Sequence, residues 1–231
     1  MAQTFTSSLR NELLLTADVS RLSSLRRSTS VFSQGQAADA LYFIDEGLVK
    51  LTRSSLSGGK IILSICGPGH LAGEEALSED AQSYCCDAEV LSAATVFRVP
   101  RESLRRTISA YPGLATALVS YLLEQKLALA HRVELLCLHD VEYRILYYLA
   151  ELSTLVKVHD DTQGYQLPIT QLELADLIGA TRETTSTTLN LLERRGLLKL
   201  SRRLLTISSP STLRAAAKVK AAATDDGFSI S

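Results

Sequence analysis

The chain has 231 residues, 46% hydrophobic and 21% charged, with a net charge of −1 at pH 7, which is typical of a folded protein of one large or two moderate domains. Its apolar runs are too short to span a membrane and its first residues, MAQTFTSSLRNELLL, lack a signal-peptide layout, so we expect a cytoplasmic protein without membrane contact. From Tyr165 to Lys220 nine Lys/Arg oppose four Asp/Glu, whereas the rest of the chain carries fifteen against twenty-one, which favours a nucleic-acid partner for the C-terminal region.

The N-terminal part of the chain changes in texture at Ser30. Residues 7–26 are patchily apolar and predict one or two short helices. Beyond Ser30, hydrophobic and polar residues alternate in VFSQGQAADALYFIDEGLVKLTR, with turn-forming glycines at Gly35 and Gly47. Short strands at this spacing are typical of an antiparallel sandwich or barrel.

Further strands are predicted after this segment. Ser57-Gly58-Gly59 favours a hairpin turn, and residues 60–65 are the expected return strand. A glycine-rich segment, GPGHLAGEEAL, follows, and residues 85–99 then predict two more strands.

The four cysteines are too few and too scattered for a disulfide framework or a zinc ribbon. Cys66 and His70 are four residues apart, a spacing that is compatible with a metal or haem site. No second pair of ligands lies nearby, however, which favours a buried strand cysteine and a loop histidine.

Residues 114–139 form a long apolar-rich stretch without glycine or proline, which predicts a helix. Apolar residues recur four and three apart, as in a coiled coil, and further leucines lie on other faces. The helix therefore packs on its own β-domain and on a partner helix, or else forms the core of a monomer. The positions that a partner helix would contact are Leu122, Lys126, Leu129, Val133 and Leu136.

Residues 169–200 predict two short helices joined by a tight turn. Thr170 and Glu173 have the spacing of a capping box at the start of the first helix. Gly179 ends that helix, because glycine adopts positive φ without steric cost. The apolar face of the first helix is expected to consist of Leu172, Leu174, Ala175 and Ile178.

The second predicted helix begins after Thr181 and buries Thr185, Leu189 and Leu192. A helix in this position can enter the major groove of DNA, where arginine binds guanine and a carboxylate accepts a hydrogen bond from cytosine. An ordinary helical hairpin with solvated polar residues is the alternative. The candidate DNA contacts here are Thr170, Thr181, Arg182, Glu183, Ser186, Thr187 and Asn190.

The segments on either side of this helix pair complete the C-terminal region. Asp140 is expected to cap a helix over residues 141–155, and a polar loop over residues 159–164 follows it. Residues 197–207 predict a two-stranded wing, with Arg202 and Arg203 near its tip as candidate phosphate contacts. Residues 210–223 predict a short surface helix.

Three strings of the sequence, in this order, resemble the CRP/FNR family of bacterial transcription regulators. FSQGQAADALYFIDEGLVKL resembles the family's β-roll hairpins, GPGHLAGEEAL its phosphate-binding cassette and IGATRETTSTTLNLLERRGLL its recognition helix. The resemblance runs from Ser30 to Ile207 and implies an α+β fold. It implies an antiparallel, cyclic-nucleotide-binding-like β-roll in residues 1–112, a dimerisation helix in residues 113–139 and a winged helix-turn-helix in residues 140–231.

The resemblance also implies partners. It favours a homodimer over a monomer, and it implies double-stranded DNA with a near-palindromic site and RNA polymerase as partners. The family often has a further arginine where this chain has Thr187. The family places its hinge at the position of His139 and Asp140.

The effector pocket departs from the pattern of the cyclic-AMP-binding members that the chain resembles. Gly73 and Glu74 match the cassette's Gly-Glu pair, but Tyr84 stands where those members have the phosphate-binding arginine. Cys85 takes the next position, and two hydroxyl residues that contact adenine are replaced by Leu129 and Ala130. Without arginine the phosphate loses a charge-assisted bidentate contact, which argues against cyclic AMP as effector.

The effector therefore stays unknown, and three alternatives are open. The pocket binds a less anionic small molecule, or it is vestigial, or the protein senses redox state or a gas through a thiol or haem. The iron–sulfur site of FNR-type members needs a cysteine cluster near the N-terminus. No cysteine precedes Cys66 in this chain, which argues against such a cluster.

The leading hypothesis is a homodimeric, sequence-specific DNA-binding regulator of the CRP/FNR type that is not controlled by cyclic AMP. The alternatives are a redox- or haem-dependent gas-sensing regulator of the same fold and a cyclic-nucleotide-type binding module that regulates a partner protein. The basic excess and the Arg182-Glu183 pair favour DNA binding over the latter. An enzyme is not expected, because no nucleophile, base and orienting group occur together.

Overall fold

The computed structural model describes residues 18–55, 58–156, 164–201 and 204–225. The chain divides into two compact units, Met1–Leu129 and Ala130–Ser231. The boundaries predicted after residues 112 and 139 stay a prediction. None of the helices in the described ranges combines the length and the apolarity needed to cross a lipid bilayer.

The first unit contains a six-stranded antiparallel sheet with the strand order β1-β6-β3-β4, in which β2 also pairs with β6 and β5 with β3. A single 3-10 turn, Glu74–Leu77, follows β5. The strands are β1 (Ser20–Leu25), β2 (Ser30–Phe32), β3 (Ala40–Ser54), β4 (Lys60–Cys66), β5 (Leu71–Ala72) and β6 (Asp87–Pro100). This architecture confirms the predicted β-roll.

Three expectations about these strands were wrong in detail. The helix predicted up to residue 26 is β1 in its described part, because this segment pairs with β6 through Leu22 and Val96. Gly47 does not separate two strands but lies inside β3, where the register with β6 shifts. Residues 87–100 form one strand rather than two. Bulges bend both long strands without ending them, which sequence alternation does not distinguish from a turn. The part of the first predicted helix before residue 18 lies outside the described residues.

The two faces of β3 pack into two different cores. Tyr42 and Ile44 lie in one core with Phe32 and Tyr84. Leu41 and Phe43, on the opposite face, lie in a second core. Successive side chains of a strand point to opposite faces, so one strand serves both cores.

Six helices complete the described fold. In the first unit, α1 (Arg101–Ala110) is followed by the start of α2 (Pro112–Leu138), which begins two residues before its predicted start and ends in the second unit. Proline is compatible with the first turn of a helix, where its missing N–H has no partner to lose. Leu114, Leu118 and Tyr121 of α2 are buried in the second core, which confirms that α2 packs on its own β-domain.

The remaining helices and a small sheet belong to the C-terminal region. The sheet has the order β7-β9-β8; β8 and β9 confirm the predicted wing, whereas β7 was not predicted. The predicted polar loop lies almost entirely outside the described residues, which omit residues 157–163. The elements are α3 (Val141–Leu155), β7 (Tyr165–Leu167), α4 (Gln171–Ile178), α5 (Arg182–Arg194), β8 (Leu198–Ser201), β9 (Leu204–Ile207) and α6 (Pro210–Asp225).

The bulge at Gly47 generates a stability prediction. Gly47 has φ +78°, and a β-carbon there would lie 2.1 Å from the carbonyl oxygen of Ala93. We expect Gly47→Ala to lower the free energy of unfolding by about 2–5 kcal/mol, since backbone strain and overpacking add. Gly35 is the matched control, because it has φ +83° and no atom within 4 Å of such a β-carbon.

Gly35→Ala should lower the free energy of unfolding by about 1–2 kcal/mol, because only backbone strain is added there. Urea unfolding of both variants and the unmodified chain measures the difference. Equal losses for the two alanine variants would contradict the steric role assigned to Gly47.

Candidate functional site

The first helix of the predicted pair is α4, and its ends are built as the sequence indicates. The Thr170 hydroxyl accepts a hydrogen bond from the backbone N–H of Glu173, whose carboxylate accepts one from the backbone N–H of Thr170. This capping box satisfies two N–H groups that the helix leaves open. Gly179 follows in the left-handed conformation, at φ +64°. The predicted turn is therefore present.

The apolar face of α4 differs from the prediction at one position. Leu174, Ala175 and Ile178 are buried as expected, but Leu172 is 53% exposed. Leu177, which was not predicted, is buried at 2% exposure. Leu172 lies in the first turn of a short helix, where the neighbouring elements do not reach its side chain.

The second helix, α5, separates a buried from an exposed face. Thr181 caps α5, since its hydroxyl accepts a hydrogen bond from the N–H of Thr184. Thr185, Leu189 and Leu192 are buried completely, as predicted. Threonine tolerates this burial because its hydroxyl donates to the carbonyl of Thr181 at 2.8 Å.

The other face of α5 carries the candidate DNA contacts. Arg182, Glu183, Thr187 and Asn190 are exposed, whereas Ser186 is partly buried. Thr170 is partly buried, and its hydroxyl is already engaged with Glu173. The charged pair at the start of α5 thus faces solvent directly after a helix and a left-handed turn.

The wing, which follows α5 along the chain, is a further candidate region for contact with DNA. Ser201 is exposed at the end of β8. The two predicted phosphate contacts that follow it, Arg202 and Arg203, lie outside the described residues. The backbone N–H of Leu200 donates to the Glu193 carboxylate at 2.7 Å, which fastens the wing to α5.

The sequence did not indicate that two arginines bind the turn between α4 and α5. Arg132 donates a hydrogen bond to the carbonyl oxygen of Leu177 at 2.8 Å, and Arg144 donates one to that of Ile178 at 2.7 Å. Cations are favourable at helix C-termini. That preference alone does not say which cation will reach a helix end more than thirty residues away along the chain.

The candidate effector residues of the first unit begin at Gly73, which has φ +80° and precedes the 3-10 turn. A β-carbon at Gly73 would lie 2.9 Å from Cε1 of Tyr84, so the cassette backbone and this ring are in close contact. Glu74 is partly buried, and burial raises the pKa of its carboxyl to about 7.

Tyr84, at the arginine position of the family's pattern, is 1% exposed. Its ring stacks on Phe32 with centroids 4.0 Å apart. Its hydroxyl donates to the carbonyl of Ala40 at 2.7 Å and accepts from the N–H of Ala40 at 3.1 Å. Both hydrogen-bonding functions of the phenol are therefore satisfied within the protein. Cys85 next to it is exposed, and its N–H donates to the Glu75 carboxylate.

Cys66 and His70 each contact a backbone carbonyl within a few residues along the chain. The Cys66 thiol is buried and donates to the carbonyl of Leu71 at 3.7 Å, and burial raises its pKa to about 12. His70 Nδ1 lies 3.1 Å from the carbonyl oxygen of Gly67, and burial lowers its pKa. Among the described residues, no group of three or more His, Cys, Asp or Glu could hold a metal ion.

The predicted partner-facing side of α2 is largely accessible to solvent. Leu122 and Leu136 are each 39% exposed, Val133 53% and Leu129 60%. Lys126 and Ala130 are exposed as well. These positions therefore form an apolar stripe, interrupted by one lysine, on a helix in which Leu114, Leu118, Tyr121 and Leu135 are buried.

Comparison with known proteins assigns both parts of the chain. Residues 22–111 match the cyclic nucleotide-binding domain, and residues 143–216 match the Crp-like helix-turn-helix domain. The two matches occur in the order in which the structure presents the β-roll and the helix pair.

Individual relatives agree with these matches. The cAMP-activated global transcriptional regulator CRP of Salmonella typhimurium is 27% identical over 170 residues, which are 74% of this chain and 81% of the relative. The CRP-like cAMP-activated global transcriptional regulator of Mycobacterium tuberculosis is 28% identical over 191 residues, 81% of this chain and 84% of the relative. A solved transcriptional regulator of the CRP family from Thermus thermophilus is similar with a TM-score of 0.73 at 25% identity, over 86% of this chain and 96% of that chain.

Proposed function

The chain belongs to the CRP/FNR family of bacterial transcription regulators, and we propose that it acts as a homodimer on a near-palindromic DNA site without control by cyclic AMP. One observation carries the DNA-binding part: the start of α5 presents exposed polar side chains directly after a left-handed glycine turn. In this arrangement the second helix of a helix-turn-helix reaches base edges in the major groove. RNA polymerase, which the family resemblance implies, stays a predicted partner.

We propose specific roles for two residues at the start of α5. Arg182 can form a bidentate contact with guanine, and Glu183 can accept a hydrogen bond from a neighbouring cytosine. Thr187 makes at most one hydrogen bond or touches a thymine methyl, since it lacks the fork of an arginine. The half-site should therefore resemble the family's TGTGA-like element but tolerate more bases at the position that the missing arginine would read.

The exposed stripe of α2 supports the homodimer. Its four apolar members leave a large apolar area in contact with water, and burial of such area against a second copy is favourable. With Lys126 included, the stripe positions alternate in spacing between four and three residues, which fits a two-helix seam. Lys126 within the stripe would favour one register, at some cost in stability.

The environment of Tyr84 supports a regulator that does not respond to cyclic AMP. A cyclic phosphate needs a cation, and the position that would supply it holds a neutral ring packed on Phe32. The Tyr84 hydroxyl has both its partners in Ala40, so a ligand gains no free donor there. DNA binding that does not depend on cyclic AMP is therefore the proposal that this geometry favours.

A charged residue introduced into the apolar stripe of α2 tests the proposed dimer. We expect Leu129→Glu to convert the dimer into a monomer, since it introduces a carboxylate from each copy into an apolar seam. Sedimentation equilibrium measures the mass. Val219→Glu is the matched control, because Val219 is 73% exposed on α6, away from the stripe in the sequence. A dimeric Leu129→Glu variant would contradict this interface.

The effector proposal is tested by calorimetry. We expect no saturable heat when cyclic AMP is titrated into micromolar protein, because the pocket lacks the phosphate-binding cation. An absorption spectrum of the same sample should lack a Soret band, since Cys66 is held as a buried thiol. A tight, saturable heat would contradict the assignment of Tyr84, and a Soret band would restore haem as a cofactor.

The DNA-reading proposal is tested by selection from random duplexes, followed by titration of the preferred site. We expect Arg182→Ala to cost about 1–3 kcal/mol on that site and to relax the preference at one base pair. Arg214→Ala, which removes an exposed α6 arginine paired with Glu151, is the control and should leave the preference unchanged. If Arg182→Ala weakens every sequence equally, Arg182 is a phosphate contact and the proposed readout is wrong.

A further inference from the structure

The C-terminal end of α4 binds two guanidinium groups that come from outside the helix-turn-helix. Arg132 of α2 donates from Nη2 to the carbonyl oxygen of Leu177, and Arg144 of α3 donates from Nη1 to that of Ile178. The last carbonyls of a helix have no partner within it and carry partial negative charge. The two arginines therefore supply charge-assisted hydrogen bonds where α4 leaves acceptors open.

Packing holds this end of α2 against the turn. The guanidinium carbon of Arg132 lies 5.8 Å from the ring centroid of Tyr148, which fixes the side chain from a second direction. A β-carbon at Gly179 would lie 3.0 Å from Cδ2 of Leu136, so the turn backbone lies directly against α2. Leu135, in the same turn of α2, is 1% exposed.

The same short stretch of α2 carries two kinds of surface. Arg132 binds α4, and Leu136 touches the turn, whereas Val133 remains 53% exposed on the stripe proposed as the dimer seam. All these residues belong to the compact unit Ala130–Ser231. A displacement of α2 at the seam would therefore move the end of α4 with it.

We propose that Arg132 and Arg144 are positioning residues that attach the turn of the helix-turn-helix to the end of the dimerisation helix and so set the spacing between the two recognition helices. Only Gly179, Ala180 and Thr181 separate the bound end of α4 from α5. Fixing one end of α4 thus fixes the start of α5, where Arg182 lies. This inference rests on the proposed function, since it requires a dimer that reads two half-sites.

If the two arginines have this role, replacing them should change how strongly the dimer discriminates among spacings of the half-sites. Its preference for bases within a half-site should stay the same. Adding or removing one base pair between half-sites rotates them by about 35° relative to each other. A dimer with fixed recognition helices should lose at least about tenfold in affinity for either altered spacer, because only one arrangement fits both major grooves. A dimer whose helix pairs are loosely attached adapts to all three spacers.

The experiment titrates the full chain against three duplexes with the selected half-sites and spacers differing by −1, 0 and +1 base pair. We expect the unmodified protein to discriminate among them, and Arg132→Ala and Arg144→Ala to bind all three within about threefold of one another. Arg214→Ala is the matched control and should discriminate like the unmodified protein. Circular dichroism and sedimentation check that each variant is folded and dimeric.

Salt dependence separates this role from a direct contact with DNA. A phosphate contact that is lost reduces the slope of log affinity against log salt by about one, whereas a lost positioning contact leaves the slope unchanged. Should Arg132→Ala fail to fold, Arg132→Lys replaces it, because lysine keeps the cation but not the planar guanidinium, and intermediate discrimination is expected.

Four outcomes decide the inference. Loss of spacing discrimination with an unchanged salt slope supports it. Variants that keep the discrimination of the unmodified protein overturn it, even if their affinity falls, and so does a reduced salt slope. If the unmodified protein binds no near-palindromic duplex as a dimer, the proposed function fails, and the inference fails with it.

Discussion

The helix α2 has more apolar surface than its own domain covers, and the other features of the molecule depend on how that surface is divided. Leu114 and Leu118 lie in a core with strands of the β-roll, which buries one side of the first turns of the helix. Leu129 and Val133 remain more than half exposed. Exposed apolar area of this extent is unfavourable in water, and this is the observation that supports the proposed homodimer.

Tyr84 is packed and hydrogen-bonded entirely by groups of the β-roll. Tyr84 fills the position where related regulators are expected to hold a phosphate-binding arginine, and both functions of its hydroxyl are used by the backbone of Ala40. The ring contributes apolar contact with Phe32 at the same place. The Tyr84 position therefore offers a cyclic phosphate neither a cation nor a free hydroxyl donor, which is consistent with the proposed regulator that binds DNA without cyclic AMP.

Errors in the sequence prediction occurred where long-range contacts outweigh local pattern. The segment now assigned to β1 has irregularly spaced leucines that suit a short helix, but its backbone pairs with β6, from Leu25 with Ala94 to Ser20 with Arg98, far along the chain. Gly47 resembles a turn glycine, yet the strand continues through it because the bulge lets the chain pass close to Ala93. The prediction that Leu172 is buried used helical spacing alone. Helical spacing does not specify whether a neighbouring element reaches the first turn of α4.

The sequence by itself determined those parts of the protein whose causes are local. The capping box at Thr170, the left-handed Gly179 and the cap at Thr181 each involve residues within three positions of one another, so the helix pair and its exposed Arg182-Glu183 face followed from the order of residues. Only the tertiary structure decided that Tyr84 stacks on Phe32 and that Arg132 reaches Leu177. The first contact joins two side chains and the second a side chain and a backbone carbonyl, and in both the partners are 45 or more residues apart. Distance and direction in space decide these partners, and hydrophobic period and capping preferences do not specify them.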